Sequence, residues 1–321
     1  MKILITGGAG YIGNVLIDKL QFLSDFHYDS FIIKKLTVLD NLMYKQNCLA
    51  EHCYRNNFEF VYGDVRNESL FKKLINEHDI IIHLAAYVGM PLCNRFPAEA
   101  TQTNYESSHF LAKNLSTQLA IYPTTNSGYG TVNNNTEFCT EETPLNPISV
   151  YGKTKCDAEK ALLDTGKAIS LRLATVFGVS KRMRLDLLVN DFTYRAYTDK
   201  YIVLFESHFM RNYIHIKDIA STFVFCLKNS QKMINNAFNV GNDSINMSKL
   251  SLCNTIKKYV PDFYITESNI NEDPDKRNYI VSNKKLQLLK WNCQYDLDFG
   301  IKELLKAYSI IKNTGNKFSN V

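Results

Sequence analysis

Tyr151 and Lys155 stand four residues apart in Tyr151-Gly152-Lys153-Thr154-Lys155. On a helix that spacing puts both side chains on one face, with the ammonium one turn above the phenol. A phenol ordinarily ionises at about pH 10, and an adjacent cation favours its phenolate, which can then take a proton from an alcohol. Upstream, an apolar run ends in Pro123-Thr124-Thr125-Asn126-Ser127-Gly128-Tyr129-Gly130. There the Thr125 hydroxyl is expected to hydrogen-bond a substrate hydroxyl and steady the charge that develops on it. Outside a supporting frame, a Tyr and a Lys at this spacing are an ordinary solvated pair.

A second constellation supplies the frame. The chain opens with a short apolar run, Lys2–Thr6, followed by Gly7-Gly8-Ala9-Gly10-Tyr11-Ile12-Gly13. Gly7, Gly10 and Gly13 fall where a strand turns into a helix: one glycine permits the tight turn, another the close approach of a pyrophosphate. The helix from Tyr11 points its free N–H groups and positive dipole end at that pyrophosphate. Asp40 ends the second apolar run, Thr37-Val38-Leu39-Asp40. A carboxylate there accepts hydrogen bonds from ribose hydroxyls and repels a 2′-phosphate, which favours NAD over NADP. Asp64, in Gly63-Asp64-Val65, is placed to meet the adenine; alternatively it is a turn-forming Asp beside a Gly.

Elements must carry these residues. Predicted strands are Lys2–Thr6, Leu36–Asp40, Phe58–Tyr62, Ile80–Leu84, Leu119–Thr124 and Ser170–Thr175, and predicted helices between them are Tyr11–Leu23, Ser69–Asn76, Ala98–Ser116 and Val150–Leu163. Near-continuous apolar strands alternating with helices imply an α/β fold, a Rossmann-type doubly wound parallel sheet covered on both faces. Beyond about residue 176 the segments become shorter and richer in Asn and Lys, with helices predicted at Asp186–Ala196, His215–Lys228, Ser248–Tyr259 and Asp298–Lys312. Residues 1–176 are read as the dinucleotide domain, with parts of the later chain returning to it. Residues 177–321 are read as a smaller mixed α/β region that caps the carboxyl edge of the sheet and binds substrate.

Composition narrows the classes. The 321 residues are 45% hydrophobic, enough for a sizeable core, and the net charge of +5 is scattered rather than gathered into a nucleic-acid arm. The eight cysteines form no Cys-x-x-Cys pair and have no His at zinc spacing, so they read as reduced thiols rather than as metal ligands. No apolar run has membrane-spanning length, and the chain begins as a strand, so a soluble cytoplasmic protein is expected.

Together these segments resemble the extended short-chain dehydrogenase/reductase family, in its sugar-nucleotide-modifying branch. The resemblance runs from the glycine turn through Asp40, Gly63-Asp64-Val65, His83-Leu84-Ala85-Ala86 and Thr125–Gly130. It continues through Tyr151–Lys155 and Arg172–Gly178 to Arg211-Asn212-Tyr213-Ile214-His215-Ile216-Lys217-Asp218. It implies a catalytic triad of Thr125, Tyr151 and Lys155. For the cofactor it implies Gly7, Gly10, Tyr11, Ile12, Gly13, Asp40, Asn41, Asp64, Val65, Leu84, Ala85, Ala86, Tyr87 and Asn104, joined by Tyr151 and Lys155. It implies a nucleoside-diphosphate sugar as substrate, met by Asn126, Thr175, Arg184, Asn190, Arg211 and Arg277. Arg suits phosphate because its fork matches two oxygens; Arg182 and Arg277 read equally well as solvated surface charge. The family also pairs the helices matching Ala98–Ser116 and Val150–Leu163 across a two-fold axis. That implies a homodimer through faces bearing Phe110, Leu111, Ala158 and Leu162, positions that core packing alone would also explain.

The family's members begin alike, oxidising a sugar hydroxyl, usually at C4, with Tyr as base. Its 4,6-dehydratases carry Asp-Glu directly after the catalytic Thr; here Asn126 and Ser127 stand there, and neither ionises near neutral pH. That leaves a 4-dehydrogenase, which releases the ketone, and a 4-epimerase, which returns the hydride. The Thr125 loop and the run Arg182-Met183-Arg184-Leu185-Asp186-Leu187-Leu188 resemble dehydrogenases acting on a GDP-heptose in capsule biosynthesis. That resemblance implies tightly held NAD(H) reoxidised by 2-oxoglutarate. An NAD-sensing module without catalysis is the reading from outside the enzyme class, and retention of both Tyr151 and Lys155 weighs against it.

Overall fold

The computed structural model describes residues 1–25, 32–131, 138–268, 270, 277–311 and 320. Its first half runs β1 (Lys2–Thr6), α1 (Tyr11–Asp25), β2 (Lys35–Asp40), β3 (Phe58–Tyr62), α2 (Glu68–Glu77), β4 (Ile80–His83), α3 (Met90–Arg95), α4 (Pro97–Thr101), α5 (Ser107–Asn114), β5 (Leu119–Thr125), β6 (Phe138–Cys139), α6 (Val150–Leu163), β7 (Ala168–Leu173) and β8 (Thr175–Phe177). The second half adds α7 (Leu188–Thr198), β9 (Tyr201–Phe205), β10 (Met210–His215), α8 (Ile216–Lys228), α9 (Ser230–Met233), β11 (Asn236–Val240), β12 (Asn246–Ser248), α10 (Lys249–Lys257), β13 (Tyr264–Ser268), β14 (Ile280–Val281), α11 (Lys284–Leu288) and α12 (Leu297–Tyr308).

Seven strands form one parallel sheet in the order β3-β2-β1-β4-β5-β7-β11. The alternation of side chains along each strand feeds two cores. Ile3 and Ile5 of β1 join Leu16, Ile17 and Leu20 of α1 and Phe223 of α8 on one face. Leu4 joins Phe71 and Leu74 of α2, Leu111 of α5, and Ala158 and Leu162 of α6 on the other. Three small sheets, β8-β10-β12, β9-β13 and β6-β14, are built largely from the later chain.

The predicted strands and helices are found, with shifts at their ends. The strand expected at Ser170–Thr175 begins earlier, at Ala168, and breaks after Leu173; Thr175 opens β8, which pairs with β10 instead of the central sheet. The helix expected over Ala98–Ser116 is not one helix: α4 passes through a π-helical turn, Gln102–Glu106, before α5. The expected helix end at residue 312 lies outside the described residues. Leu111, Ala158 and Leu162, expected on a dimer face, are core residues of this chain, and Phe110 packs partly buried against them and stacks on Phe71.

Candidate active site

A cleft opens at the carboxyl edge of the sheet, and the glycine turn forms its floor. Gly7 has φ +68°, and a Cβ there would lie 2.6 Å from the backbone nitrogen of Ala85. A Cβ on Gly13 would lie 2.5 Å from the carbonyl oxygen of Gly8, so α1 sits against the turn with no room for a side chain. Gly10 meets only the Gly7 carbonyl, at 3.1 Å, and its open side faces the cleft. The first turn of α1 therefore presents bare backbone N–H groups to a bound anion, as a dinucleotide pyrophosphate requires.

Gly7, Gly10, Tyr11, Ile12, Gly13, Asp40, Asn41, Asp64, Val65, Leu84, Ala85, Ala86, Tyr87, Tyr151 and Lys155 all line this cleft. Asp40 is nearly buried; its two oxygens accept from Ala9 N at 3.0 Å and Leu42 N at 2.8 Å. Burial raises its pKa, and the charge of Asp64 adds to the effect. Each oxygen keeps a lone pair, so a ribose diol can still be held. Asp64 is more committed: Arg66 grips it at 2.9 and 2.8 Å, Asn41 donates at 3.0 Å, and these bonds hold its pKa down at about 2. Asn104 lies behind the wall. The π-helical turn projects its amide onto the backbone of Tyr87, Oδ1 accepting from N at 2.8 Å and Nδ2 donating to O at 2.9 Å. The N–H of Leu84 donates to the Thr6 carbonyl at 3.0 Å, and the N–H of Ala85 to the Thr6 hydroxyl at 3.2 Å.

Ser149 caps α6 through the N–H of Gly152, at 3.1 Å, and starts the helix so that Tyr151 and Lys155 share its inner face. Tyr151 is half-buried at the cleft. The Lys155 ammonium lies 3.8 Å from the centre of the Tyr122 ring, a cation–π contact, and burial draws its pKa down to about 7. Burial pushes the Tyr151 phenol up to about 12, and Cys93 pushes the same way. The positive charges of Arg184 and Arg277 oppose this.

The residues expected at the substrate divide. Arg184 lines the cleft, buried and paired with Asp186 at 2.5 Å. Arg182, left open between phosphate ligand and surface charge, is buried in the cleft wall, stacked on Tyr44 at 4.3 Å and bonded to Asn320 at 2.8 Å. Asn190 is fully engaged in holding Gly178 N, Tyr11 Oη and Arg184 O, at 3.1, 3.2 and 2.9 Å. Arg211 stacks over Tyr279 at 5.6 Å and donates to Met210 O; Thr175 is half-buried on β8. Asn126 is 1% exposed, and neither of its amide atoms has a partner among the described residues. Arg277 reaches the catalytic loop and donates to Ser127.

Several contributors escaped the sequence reading. Glu159 follows Lys155 by one more turn and forms a buried pair with Arg172 at 2.7 Å, tying α6 to β7; the repeated four-residue spacing was its signal. Arg172 also donates to the Tyr129 hydroxyl at 3.1 Å, which meets Asn239 Oδ1 at 2.6 Å. Tyr44, Thr124 and Asn320 also line the cleft, without any local pattern to announce them. Elsewhere Asp18, Glu51 and His52 cluster, and the Lys181 ammonium bridges the two carboxylates. Among the described residues no helix is long and apolar enough to cross a membrane.

Known proteins resemble this chain in sequence and in fold. CDP-paratose 2-epimerase of Salmonella typhi is 27% identical over 95% of this chain and 98% of its own length. A dTDP-D-glucose 4,6-dehydratase of Dictyostelium discoideum is 29% identical over 75% of this chain, which spans only 58% of that longer protein. Among solved structures, UDP-glucuronic acid 4-epimerase from Bacillus cereus, in complex with UDP-glucuronic acid and NAD, has the same fold. Its TM-score is 0.82 at 22% identity over 97% of this chain and 99% of the other. The family model described as the NAD dependent epimerase/dehydratase family matches residues 3–241. That match covers most of the chain, from the glycine turn past the Tyr151–Lys155 helix, and the chain belongs to the NAD dependent epimerase/dehydratase family.

Proposed function

We propose that this protein oxidises a nucleoside-diphosphate sugar at C4, as a 4-dehydrogenase whose substrate is a GDP-heptose and whose product is the 4-keto sugar. The observation that carries the reading is Tyr151 and Lys155 lining one cleft with the glycine turn, with Asn126 and Ser127 where a dehydratase needs an acid and a base. NAD⁺ supplies the acceptor for the hydride. The Tyr151 phenolate takes the proton of the C4 hydroxyl, Thr125 holds that hydroxyl in line, and the C–H electron pair leaves as hydride, so that a ketone remains. Lys155, which lines the same cleft, would bind the nicotinamide ribose. Arg184, Arg211 and Arg277, with Thr175, Asn126 and Asn190, belong to the substrate side on the family resemblance. The same resemblance supports tightly held NAD(H), reoxidised in place by 2-oxoglutarate, and a homodimer. Eight free cysteines suit a reducing cytoplasmic setting.

A 4-epimerase is the second reading. It needs no acid or base beyond the same triad, and a 2-epimerase is among the relatives matched over nearly their whole length. Mass spectrometry of the product separates the two: the ketone is two hydrogens lighter than the sugar nucleotide supplied, and the epimer has equal mass. With GDP-heptose and 2-oxoglutarate the lighter product is expected; equal mass overturns the dehydrogenase in favour of the epimerase. In either case Tyr151→Phe should lower kcat by about 10²–10⁴-fold while NAD(H) binding, read by fluorescence, persists. Undiminished turnover would remove the triad. Light scattering that reads a monomer at micromolar concentration would remove the homodimer.

A further inference from the structure

Lys155 is buried, and its ammonium has no acid of its own. The residue is 3% exposed, and among the described residues no carboxylate pairs with it and no hydrogen bond holds its Nζ. Glu159, one turn further along α6, is taken by Arg172 at 2.7 Å. A charge out of water needs a partner, or it is shed. What faces this one is the ring of Tyr122 on β5, its centre 3.8 Å from Nζ. At that distance the ammonium stands over the ring face, where the quadrupole is negative. Tyr122 is itself 1% exposed, so the contact is made away from bulk water, where it is strongest.

Neighbours fix the plane of that ring. His83 of β4 stacks beside it, with centroids 6.0 Å and planes 26° apart, and Phe71 of α2 stacks on His83 at 5.5 Å and 21°. The Tyr122 hydroxyl donates to the Asn104 carbonyl at 3.4 Å. Burial holds the His83 pKa down at about 3, and the Lys155 charge adds to the effect, so the imidazole is neutral. Donor counting then settles its tautomer. The Ser107 hydroxyl spends its one proton on the Thr103 carbonyl, at 2.6 Å, and so accepts from His83 Nε2–H, at 3.2 Å. The Thr6 hydroxyl, which accepts from the N–H of Ala85, donates to His83 Nδ1 at 2.8 Å. We propose that Tyr122 is a positioning residue whose ring face keeps the Lys155 side chain charged and fixed at the wall of the dinucleotide cleft. The inference rests on the reading of Lys155 as a ligand of the cofactor.

The other titratable groups around Lys155 leave this work to the ring. Tyr151, Cys156 and Glu159 lie on its own helix, and Cys93 on α3. Burial pushes the Tyr151 phenol and the Cys156 thiol up to about 12 and the Cys93 thiol up to about 11, so none of them is charged at rest near neutral pH. Glu159 is engaged by Ser170 as well as by Arg172. His83 is neutral, and burial keeps the Tyr122 phenol protonated. Burial draws the ammonium's own pKa down to about 7, and the ring face opposes that by favouring the charged form. An aliphatic side chain at position 122 would bury Lys155 and offer no such compensation.

The test is nuclear magnetic resonance of the full-length, NAD⁺-loaded protein with labelled lysines, the Lys155 signal being the one lost in Lys155→Met. Protons held over an aromatic face are shifted upfield by the ring current, and titrating the same signal reports the ammonium. Tyr122→Phe keeps the ring and should keep both the upfield shift and the transition. Trifluorophenylalanine in place of Tyr122 fills nearly the same space and withdraws the negative charge from the ring face. It should lower the Lys155 transition by about one pH unit, a tenfold loss of ammonium above the transition. NAD(H) affinity should then fall away at correspondingly lower pH. Tyr122→Leu should lower the transition likewise and abolish the upfield shift, and the fluorinated ring answers the question even where the leucine variant does not fold. A transition unmoved by the fluorinated ring would overturn the proposal while leaving the triad standing. If Lys155→Met leaves NAD(H) affinity and turnover as they were, the reading of Lys155 as a cofactor ligand falls, and this proposal with it.

Discussion

Burial sets the behaviour of Lys155 as strongly as its neighbours do. Its pKa, drawn from 10.5 down to about 7, means that the folded protein sheds a proton which the unfolded chain retains. Between those two values the unfolded state binds more protons, so stability rises with pH across that window. Below about pH 7 the full cost of holding a buried ammonium is present. Lys155→Met is therefore expected to raise the melting temperature at about pH 6, with the gain fading by about pH 10, while turnover is lost. Calorimetry at the two pH values checks it, and a gain that grows with pH would contradict it. At this scale the glycine turn and the Tyr151–Lys155 spacing were legible because each is a local pattern whose meaning lies within a few residues. The acidity of Tyr151 was not, because desolvation depends on what packs around the phenol. Ser127 and Arg277 were not legible as partners either, since 150 residues separate them.

Elements set the cofactor wall by small departures from regularity. Periodicity announced one helix over Ala98–Ser116, and composition carries no mark of the π-helical turn within it. That turn carries one residue more per round than the helix around it, which re-aims Asn104 at both polar groups of the Tyr87 backbone. Asn104→Ala would orphan those groups at a cost of about 1–3 kcal/mol each, less whatever water recovers. We expect a lower urea midpoint together with weaker NAD(H) binding, read by equilibrium denaturation and by fluorescence titration. A variant that loses stability and keeps full affinity would make the turn a packing feature alone. The strands and the helices between them were legible because near-continuous apolar runs such as Ile80–His83 mark strands buried on both faces. The break after Leu173 was less so, since β7 and β8 form one apolar stretch that the structure divides between two sheets.

The whole molecule draws its cleft from distant parts of the chain. Asn320 accepts from Arg182 at 2.8 Å, and both border the cleft that begins at Gly7. A hydrogen bond to a charged group contributes about 1.5–3 kcal/mol. Asn320→Ala is therefore expected to speed NAD(H) release about tenfold in stopped-flow fluorescence, and an unchanged rate would leave Asn320 a bystander. Nothing near residue 320 hints at this contact, because only the folded chain brings the two residues together. The same reach governs the catalytic loop. Asn239, on β11 at the sheet's edge, engages Tyr129 at 2.6 Å and the Glu141 carboxylate, at 2.7 Å, through its own N–H. A catalytic loop near residue 130 thus waits for a strand synthesised about 110 residues later, and truncation ahead of residue 236 would leave Tyr129 and Glu141 without that latch.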